Sequence, residues 1–493
     1  MSPQKLSLSD AVDQALRRVE EGNPFPKPVF NFSNNGPLAL NGVLPVILPD
    51  KGDFSVPHAA RALGFNPLGI FQPREVGSSL GGSSVVTNED FFREELSCIY
   101  EQYVREALKI YSATLGLRFE FDVSLADLAY SDLPAAVAFG SVNVAGANEY
   151  SAFNNGLDGS VEQFDTEGYT FFISDEGVLE LSRIVVDPLF GKSSQGIYGD
   201  SVYADYAFST FVHEFGHSLG LLHPGTYNGD LKSLDELLWL SDSTDESIMS
   251  YVGQKARAEF GLPYSDSDLS PITPRVVDFL ALNRLYASQE TSDGMLGDLS
   301  AFLGDTTYGF NSTISPDVSE VYAEMAGLLG ENKLSMTLAD FGGVDTIDLS
   351  GYGNKNALDL TVMTGEEYES RFSMLNGTKN NLSLAVGTVI ENAIGGRAGD
   401  TFWDNAADNV FKGLDGDDRF YLTSGSDAVD GGRGFDAVLL AGGRDEYSVE
   451  TVASGSNAGL VTVASVTDPA AFVATLTSIE QLIFQADGVV LDL

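Results

Sequence analysis

Phe211-Val-His-Glu-Phe-Gly-His-Ser-Leu-Gly-Leu-Leu-His-Pro224 holds three of the four histidines in a chain of 493 residues. It reads H-E-x-x-H-x-x-G-x-x-H, with His213, Glu214, His217, Gly220 and His223 in the fixed places. Residues four apart lie on one face of a helix, so His213 and His217 aim their imidazoles at a common centre. Gly220 is free to take the left-handed conformation that ends a helix and turns the chain back, which lets His223 supply a third nitrogen. Three neutral imidazoles with one coordination position open make a catalytic rather than a structural zinc site. Glu214 falls beside the metal rather than on it, placed to accept a proton from the metal-bound water. The bland alternative is three satisfied core histidines on an amphipathic helix. Three of four histidines at this spacing argue against it.

A second piece, Ser247-Ile-Met-Ser-Tyr251, lies downstream. The zinc helix, third histidine and methionine segment together resemble a metzincin endopeptidase, whose signature joins that motif to a methionine turn. Pro224 and Ser-Ile-Met-Ser-Tyr are similar to the serralysin branch, although Val252 stands where many relatives carry Trp. The resemblance implies that Met249 floors the zinc site. It also implies that Tyr251 is an additional, swinging zinc ligand that helps stabilise the tetrahedral oxyanion.

From Gly395 to Ser448 the chain divides into six nonapeptides: GGRAGDTFW, DNAADNVFK, GLDGDDRFY, LTSGSDAVD, GGRGFDAVL and LAGGRDEYS. Each has Asp or Asn at position six and an apolar residue at position eight, the repeat of a calcium-binding parallel β-roll. Two nonapeptides make one coil, so residues 18 apart stack. Asp400, Asp418 and Asp436 then line one edge, and Asn409, Asp427 and Asp445 the other. The turn residues Gly396, Ala398, Gly413, Asp415, Gly416, Gly431 and Arg433 are the accompanying oxygen donors. Hard oxygen ligands from stacked turns suit calcium. The first edge keeps the better glycines and should bind it more tightly. By the serralysin resemblance, Gly304, Thr306, Asp340, Gly342 and Asp345 surround a further calcium.

The net charge, 27 − 71 = −44, argues against nucleic acid or an anionic membrane as partner. No run of about 18 apolar residues occurs, so no membrane span is expected. The single cysteine, Cys98, excludes an internal disulfide framework and reads as a buried structural thiol in a helical stripe. The first ten residues hold no apolar h-region, so an ordinary signal peptide is not expected.

In chain order, 9–21 patterns as a short helix with Ser9 as N-cap. Residues 31–86 are irregular, and 89–114 form a long helix. Strands are expected at 117–123, 136–142, 169–174 and 184–187, with 169–174 as the exposed edge on which an extended substrate pairs. A helix follows Thr273-Pro274 and runs to about Tyr286. His58 reads as an ordinary residue, with a latency ligand to zinc as the sharper alternative.

The expected architecture is an α+β metzincin zinc-protease domain followed by an all-β parallel β-roll of the RTX type. Its parts are an N-terminal segment 1–88, propeptide or cover, a catalytic domain 89–294, and a calcium-binding roll 295–493 with a C-terminal secretion signal. The resemblance implies a monomeric extracellular endopeptidase with one catalytic zinc and several structural calciums. Its implied partners are protein or peptide substrates, a type I secretion apparatus and a protein inhibitor. The rival reading is a calcium-binding RTX adhesion or matrix protein with a vestigial peptidase domain, against which the intact ligands, base and methionine turn argue. An effector exported by another machine would change location but not chemistry.

Overall fold

The computed structural model describes residues 6–10, 12, 43–47, 98–120, 136–141, 168–175, 178–186, 203, 206–227, 229–262, 267, 269–286, 290–291, 294–295, 300–331, 333–367, 369–452 and 459–493. His58 lies outside them, as do 89–97 of the expected long helix.

The N-terminal half pairs a five-stranded sheet with helices. Its strands are β1 (Val43–Ile47), β2 (Arg118–Glu120), β3 (Ala136–Ser141), β4 (Gly168–Asp175) and β5 (Val178–Val186), in the order β2-β1-β3-β5-β4. β1 pairs in parallel with both β2 and β3, so residues of the expected cover segment form an internal strand of this sheet. β4 is an edge strand, antiparallel to β5, as the sequence pattern anticipates. Among the described residues the longer helices of this half are α1 (Cys98–Leu115), α2 (Tyr206–Ser218), α3 (Gln254–Phe260) and α4 (Val276–Tyr286). Along α1, the buried residues Tyr103, Val104, Ala107, Leu108 and Tyr111 form one face. That face packs on α2 through ring contacts of Tyr103 with Phe208 and Phe211, and of Tyr111 with Phe215. The Tyr111 hydroxyl also donates to the Val212 carbonyl at 2.8 Å.

The C-terminal half is a coil of short parallel strands in two sheets. One sheet stacks 357–359, 401–403, 419–422, 437–440 and 481–484; the other stacks 307–309, 346–348, 392–394, 410–412, 425–430 and 472–477. The register is the expected 18: Thr401 pairs with Arg419 and Arg419 with Ala437. The position-eight side chains become the core. Leu358, Phe402, Phe420, Val438 and Leu482 form one buried row, and Tyr308, Ile347, Ala393, Phe411, Val429 and Leu476 the other. Such a core is one side chain thick per turn.

The sixth nonapeptide corrects the sequence reading. Gly425–Asp430 pairs not with 443–448 but with Phe472–Thr477, which puts Ala474 beside Asp427. Arg444–Glu446 forms a short 3₁₀ turn, and 447–451 pairs antiparallel with 461–465. Asp445 is therefore exposed and off the carboxylate row. The physical reason is local: from Leu440 the chain turns away into a hairpin and rejoins the coil about thirty residues later.

The two halves are continuous. The strand Ser270–Pro271 extends the ten-stranded sheet through Leu334–Leu338, and Glu106 of α1 accepts from the Ser319 hydroxyl and the Val321 amide. The N-terminal helical turn docks at the same junction: Leu8 and Ser9 amides donate to the carbonyls of Glu367 and Gly365, and Arg284 of α4 donates to Ser9. Ser7, not Ser9, caps that turn by accepting from the Asp10 amide.

Candidate metal centres

α2 ends where the sequence demands. Gly220 holds φ 96°, and the Leu221 amide returns to the Gly216 carbonyl, the turn that carries the chain back to His223. His213, His217 and His223 converge, with one candidate ligand atom from each within 4.8 Å of the others. His217 Nε2 faces His223 Nε2 at 3.1 Å. Each ring is oriented from behind by a backbone carbonyl: Nδ1 of His213 donates to Ile248 at 2.8 Å, of His217 to Leu221 at 2.9 Å, and of His223 to Tyr227 at 3.3 Å. That fixes the tautomer with the Nε2 lone pairs turned inward, the arrangement a metal needs. Three convergent imidazole nitrogens of this kind fit zinc. Glu214, between His213 and His217 in sequence, is buried. The Tyr251 ring stands 4.9 Å from that of His223 and 5.6 Å from that of His213, centroid to centroid.

The methionine turn lies directly under α2. A Cβ on Gly216 would stand 2.8 Å from Met249 Sδ, so any larger residue there would force the thioether to shift. Asp278 of α4 holds the turn: its carboxylate accepts from the Ser247 hydroxyl at 2.6 Å, the Ile248 amide at 2.7 Å and the Arg275 amide at 2.8 Å. Asp278 rather than Thr273 thus satisfies the start of α4, since the Thr273 hydroxyl serves the Thr337 amide. Asp242 holds the other end by accepting from Tyr227 and Ser250 hydroxyls. Burial pushes both carboxyls up to about 6 against their hydrogen bonds. Glu246, one residue before the turn, crosses to the C-terminal half and is bonded by the Ser370 amide and hydroxyl; burial pushes it up to about 8.

The first edge of the coil is a ladder. The Asp400 amide donates to Asp418 Oδ1 at 2.6 Å, and the Asp418 amide to Asp436 Oδ1 at 2.8 Å. Asp418 Oδ2 and Asp436 Oδ2 are buried with no hydrogen-bond partner among the described residues. Burial, helped by Asp400 and Asp436, pushes Asp418 up to about 7. Orphaned carboxylate oxygens in stacked glycine turns fit a hard divalent cation. In the turns themselves, the Gly416 amide donates to the Arg433 carbonyl and the Asp415 amide reaches the Gly396 carbonyl at 3.4 Å. Gly413, Gly431 and Ala398 carbonyls face the neighbouring turns.

The second edge differs in chemistry. The Asn409 amide group donates to the Glu391 carbonyl at 2.9 Å, and that of Asn405 to the carbonyls of Leu360 and Ile390. Asp427 Oδ1 accepts from the Asn409 amide while its buried Oδ2 lacks a partner among the described residues. The outlying cluster also assembles: Thr306 donates its amide to Asp345 and its hydroxyl to the Gly304 carbonyl, and the Gly342 amide donates to Asp340. Burial pushes Asp340 to about 6 and Asp345 to about 7.

Residues 298–463 match the family described as Peptidase M10 serralysin C terminal. The chain is 36% identical over 200 residues to Serralysin C of Dickeya chrysanthemi, covering 40% of this chain and 36% of that protein. Over this part of its length the chain is similar to serralysins. It is also 33% identical to a Serralysin of Photorhabdus laumondii, over 45% of this chain and 41% of that protein. Against Metallopeptidase AprA of Pseudomonas marginalis it is 31% identical, over 52% of this chain and 58% of that protein. The matches therefore span less than two thirds of these relatives' own lengths.

Three residues of the carboxylate rows escape the nonapeptide pattern. The Asn356 amide donates to Asp400 Oδ1, the Asp345 amide to Glu391 Oε2, and the Asp436 amide to Glu480 Oε2. A visible signal existed for all three: Asn356-Ala-Leu358, Glu391-Asn-Ala393 and Glu480-Gln-Leu482 each keep an acidic residue or Asn two before a buried apolar one.

Proposed function

We propose that this chain is a zinc endopeptidase of metzincin type with a calcium-stabilised RTX β-roll. The carrying observation is the convergence of His213, His217 and His223, each with Nδ1 on a backbone carbonyl, above Met249. His213, His217 and His223 would hold the zinc, with Tyr251 as an outer ligand. When bound, zinc polarises the scissile carbonyl and makes water a competent nucleophile near neutral pH. The Glu214 carboxylate takes the proton of the attacking water and delivers it to the leaving amine nitrogen. The Tyr251 hydroxyl donates to the developing oxyanion. β4, at the edge of its sheet among the described residues, would pair with an extended peptide. The roll's carboxylates, and the cluster of Gly304, Thr306, Asp340, Gly342 and Asp345, take calcium.

Extracellular export by a type I apparatus belongs to the same reading, supported by the similarity to serralysins and by the orphaned carboxylate oxygens of the roll. Casein digestion with and without a zinc chelator tests it. Chelator-sensitive cleavage restored by zinc supports the assignment, and no cleavage by zinc-loaded protein rejects it.

A further inference from the structure

We propose that the row of cation positions on the first edge continues one coil past the last glycine-rich turn, in a terminal site built from Asp436, Glu480 and the Ser478 carbonyl. The proposal rests on the calcium reading of the roll and extends it to residues outside the nonapeptides.

Three successive glycines line this edge, each beside the same pair of oxygens. The position a Cβ would occupy on Gly395 is 2.5 Å from the Gly413 carbonyl oxygen and 2.8 Å from Asp400 Oδ2. On Gly413 it is 2.4 Å from the Gly431 carbonyl oxygen and 2.1 Å from Asp418 Oδ2. On Gly431 it is 2.2 Å from the Ser478 carbonyl oxygen and 2.6 Å from Asp436 Oδ2. The third cradle repeats the first two, with Ser478 standing where a nonapeptide glycine stood.

The backbone ladder repeats as well. Gly395, Gly413 and Gly431 amides donate to Lys412, Asp430 and Thr477 carbonyls in turn. Asp400, Asp418 and Asp436 amides donate to the carboxylates of Asp418, Asp436 and Glu480. Glu480 therefore occupies the carboxylate post of the next coil, and the pairing of Ala437 with Gln481 sets it there in register.

The final turn is shorter. Ser478 aligns with Gly431 and Glu480 with Asp436, so Ile479 alone stands in place of residues 432–435. Ser478 makes this tight turn in the left-handed conformation, φ 52°, unusual for a residue with a Cβ. The longer glutamate side chain spans the distance an aspartate covers in the full turns. The independent pointer to a ligand is Asp436 Oδ2, fully buried in the third cradle and without a hydrogen-bond partner among the described residues. Repulsion between the carboxylates of Asp436 and Glu480 is relieved by a hard divalent cation such as calcium. With fewer turn carbonyls, this terminal site should be the weakest of its row.

The test uses the full-length chain, stripped with chelator and titrated with calcium chloride by calorimetry and equilibrium dialysis. Glu480→Gln keeps a hydrogen-bond acceptor for the Asp436 amide but removes the charge. It should lose one bound calcium, or bind one about tenfold more weakly, because charge count sets calcium affinity. Asp445→Asn removes an equal charge outside the row and should leave the count unchanged. Wild-type count and affinities in Glu480→Gln would overturn the proposal. If that variant loses β structure, Glu480→Asp decides: weakening at one site with an unchanged circular dichroism spectrum supports the terminal site, and no weakening rejects it. A wild-type chain that binds no calcium would instead overturn the calcium reading as a whole.

Discussion

Nδ1 of His213 lies 2.8 Å from the carbonyl oxygen of Ile248. Through that contact His213, the first ligand of the proposed zinc site, and the methionine turn orient one another. The turn is in turn held by the Asp278 carboxylate, which accepts from Ile248, Ser247 and Arg275. Asp278→Ala leaves those buried donors unsatisfied and should destabilise the fold by about 3–5 kcal/mol. Zinc affinity should fall by about tenfold or more, because the support behind the ligand is lost. Denaturant unfolding and a zinc competition titration measure both, and unchanged affinity in a folded variant would refute the support role.

Glu214→Gln should retain zinc, since the residue is not a ligand, and lower peptide hydrolysis by at least about 100-fold, the share a positioned base contributes. Metal analysis beside turnover of a quenched peptide checks it. Near-normal turnover in the zinc-loaded variant would remove Glu214 from the proton transfer.

Tyr251→Phe keeps the ring against His213 and His223 and deletes only the hydroxyl. Turnover should fall by about 100-fold with KM little changed, because one oxyanion donor is lost while zinc remains. A turnover number equal to wild type would sink the assigned role.

Removing calcium should expose a pH dependence. Asp418 and Asp427 are pushed up to about 7, first by burial and then by neighbouring carboxylates. A carboxyl raised above its unfolded value binds its proton more tightly in the folded state, so its contribution is complete at low pH and is lost as pH rises through about 7. In chelator, the roll should therefore melt at a lower temperature at pH 8 than at pH 5. Saturating calcium should stabilise the alkaline sample most. Calorimetric scans at the two pH values settle this; a flat profile in chelator would contradict it.

The two edges should not respond alike. Asp418 sits in a ladder with Asp400 and Asp436, whereas Asp427 stacks beside Asn409, whose amide group already donates to the Glu391 carbonyl. An amide that supplies its own donor replaces some of the charge a cation would provide. Asp418→Ala should accordingly raise the calcium midpoint of folding more than Asp427→Ala. Circular dichroism titrations compare them, and equal midpoints would reject the asymmetry.

The sequence alone determined what short, regular spacing encodes. The i, i+4 interval set His213 beside His217, Gly220 set the return to His223, and a nine-residue period set the coil of 18 with Phe402 on Phe420. Each depends on backbone geometry that repeats over a few residues. What the tertiary structure decided depends on contacts closed across segments of arbitrary length. Glu480 lies 44 residues after Asp436, Asn356 44 before Asp400, and Glu391 46 after Asp345. No period predicts those distances, because a hairpin or loop of any length fits between two coils provided the chain re-enters in register. Asp445 shows the converse. Its spacing fits the repeat, yet the chain has already left the coil, and backbone pairing rather than sequence period decides which carboxylates stack.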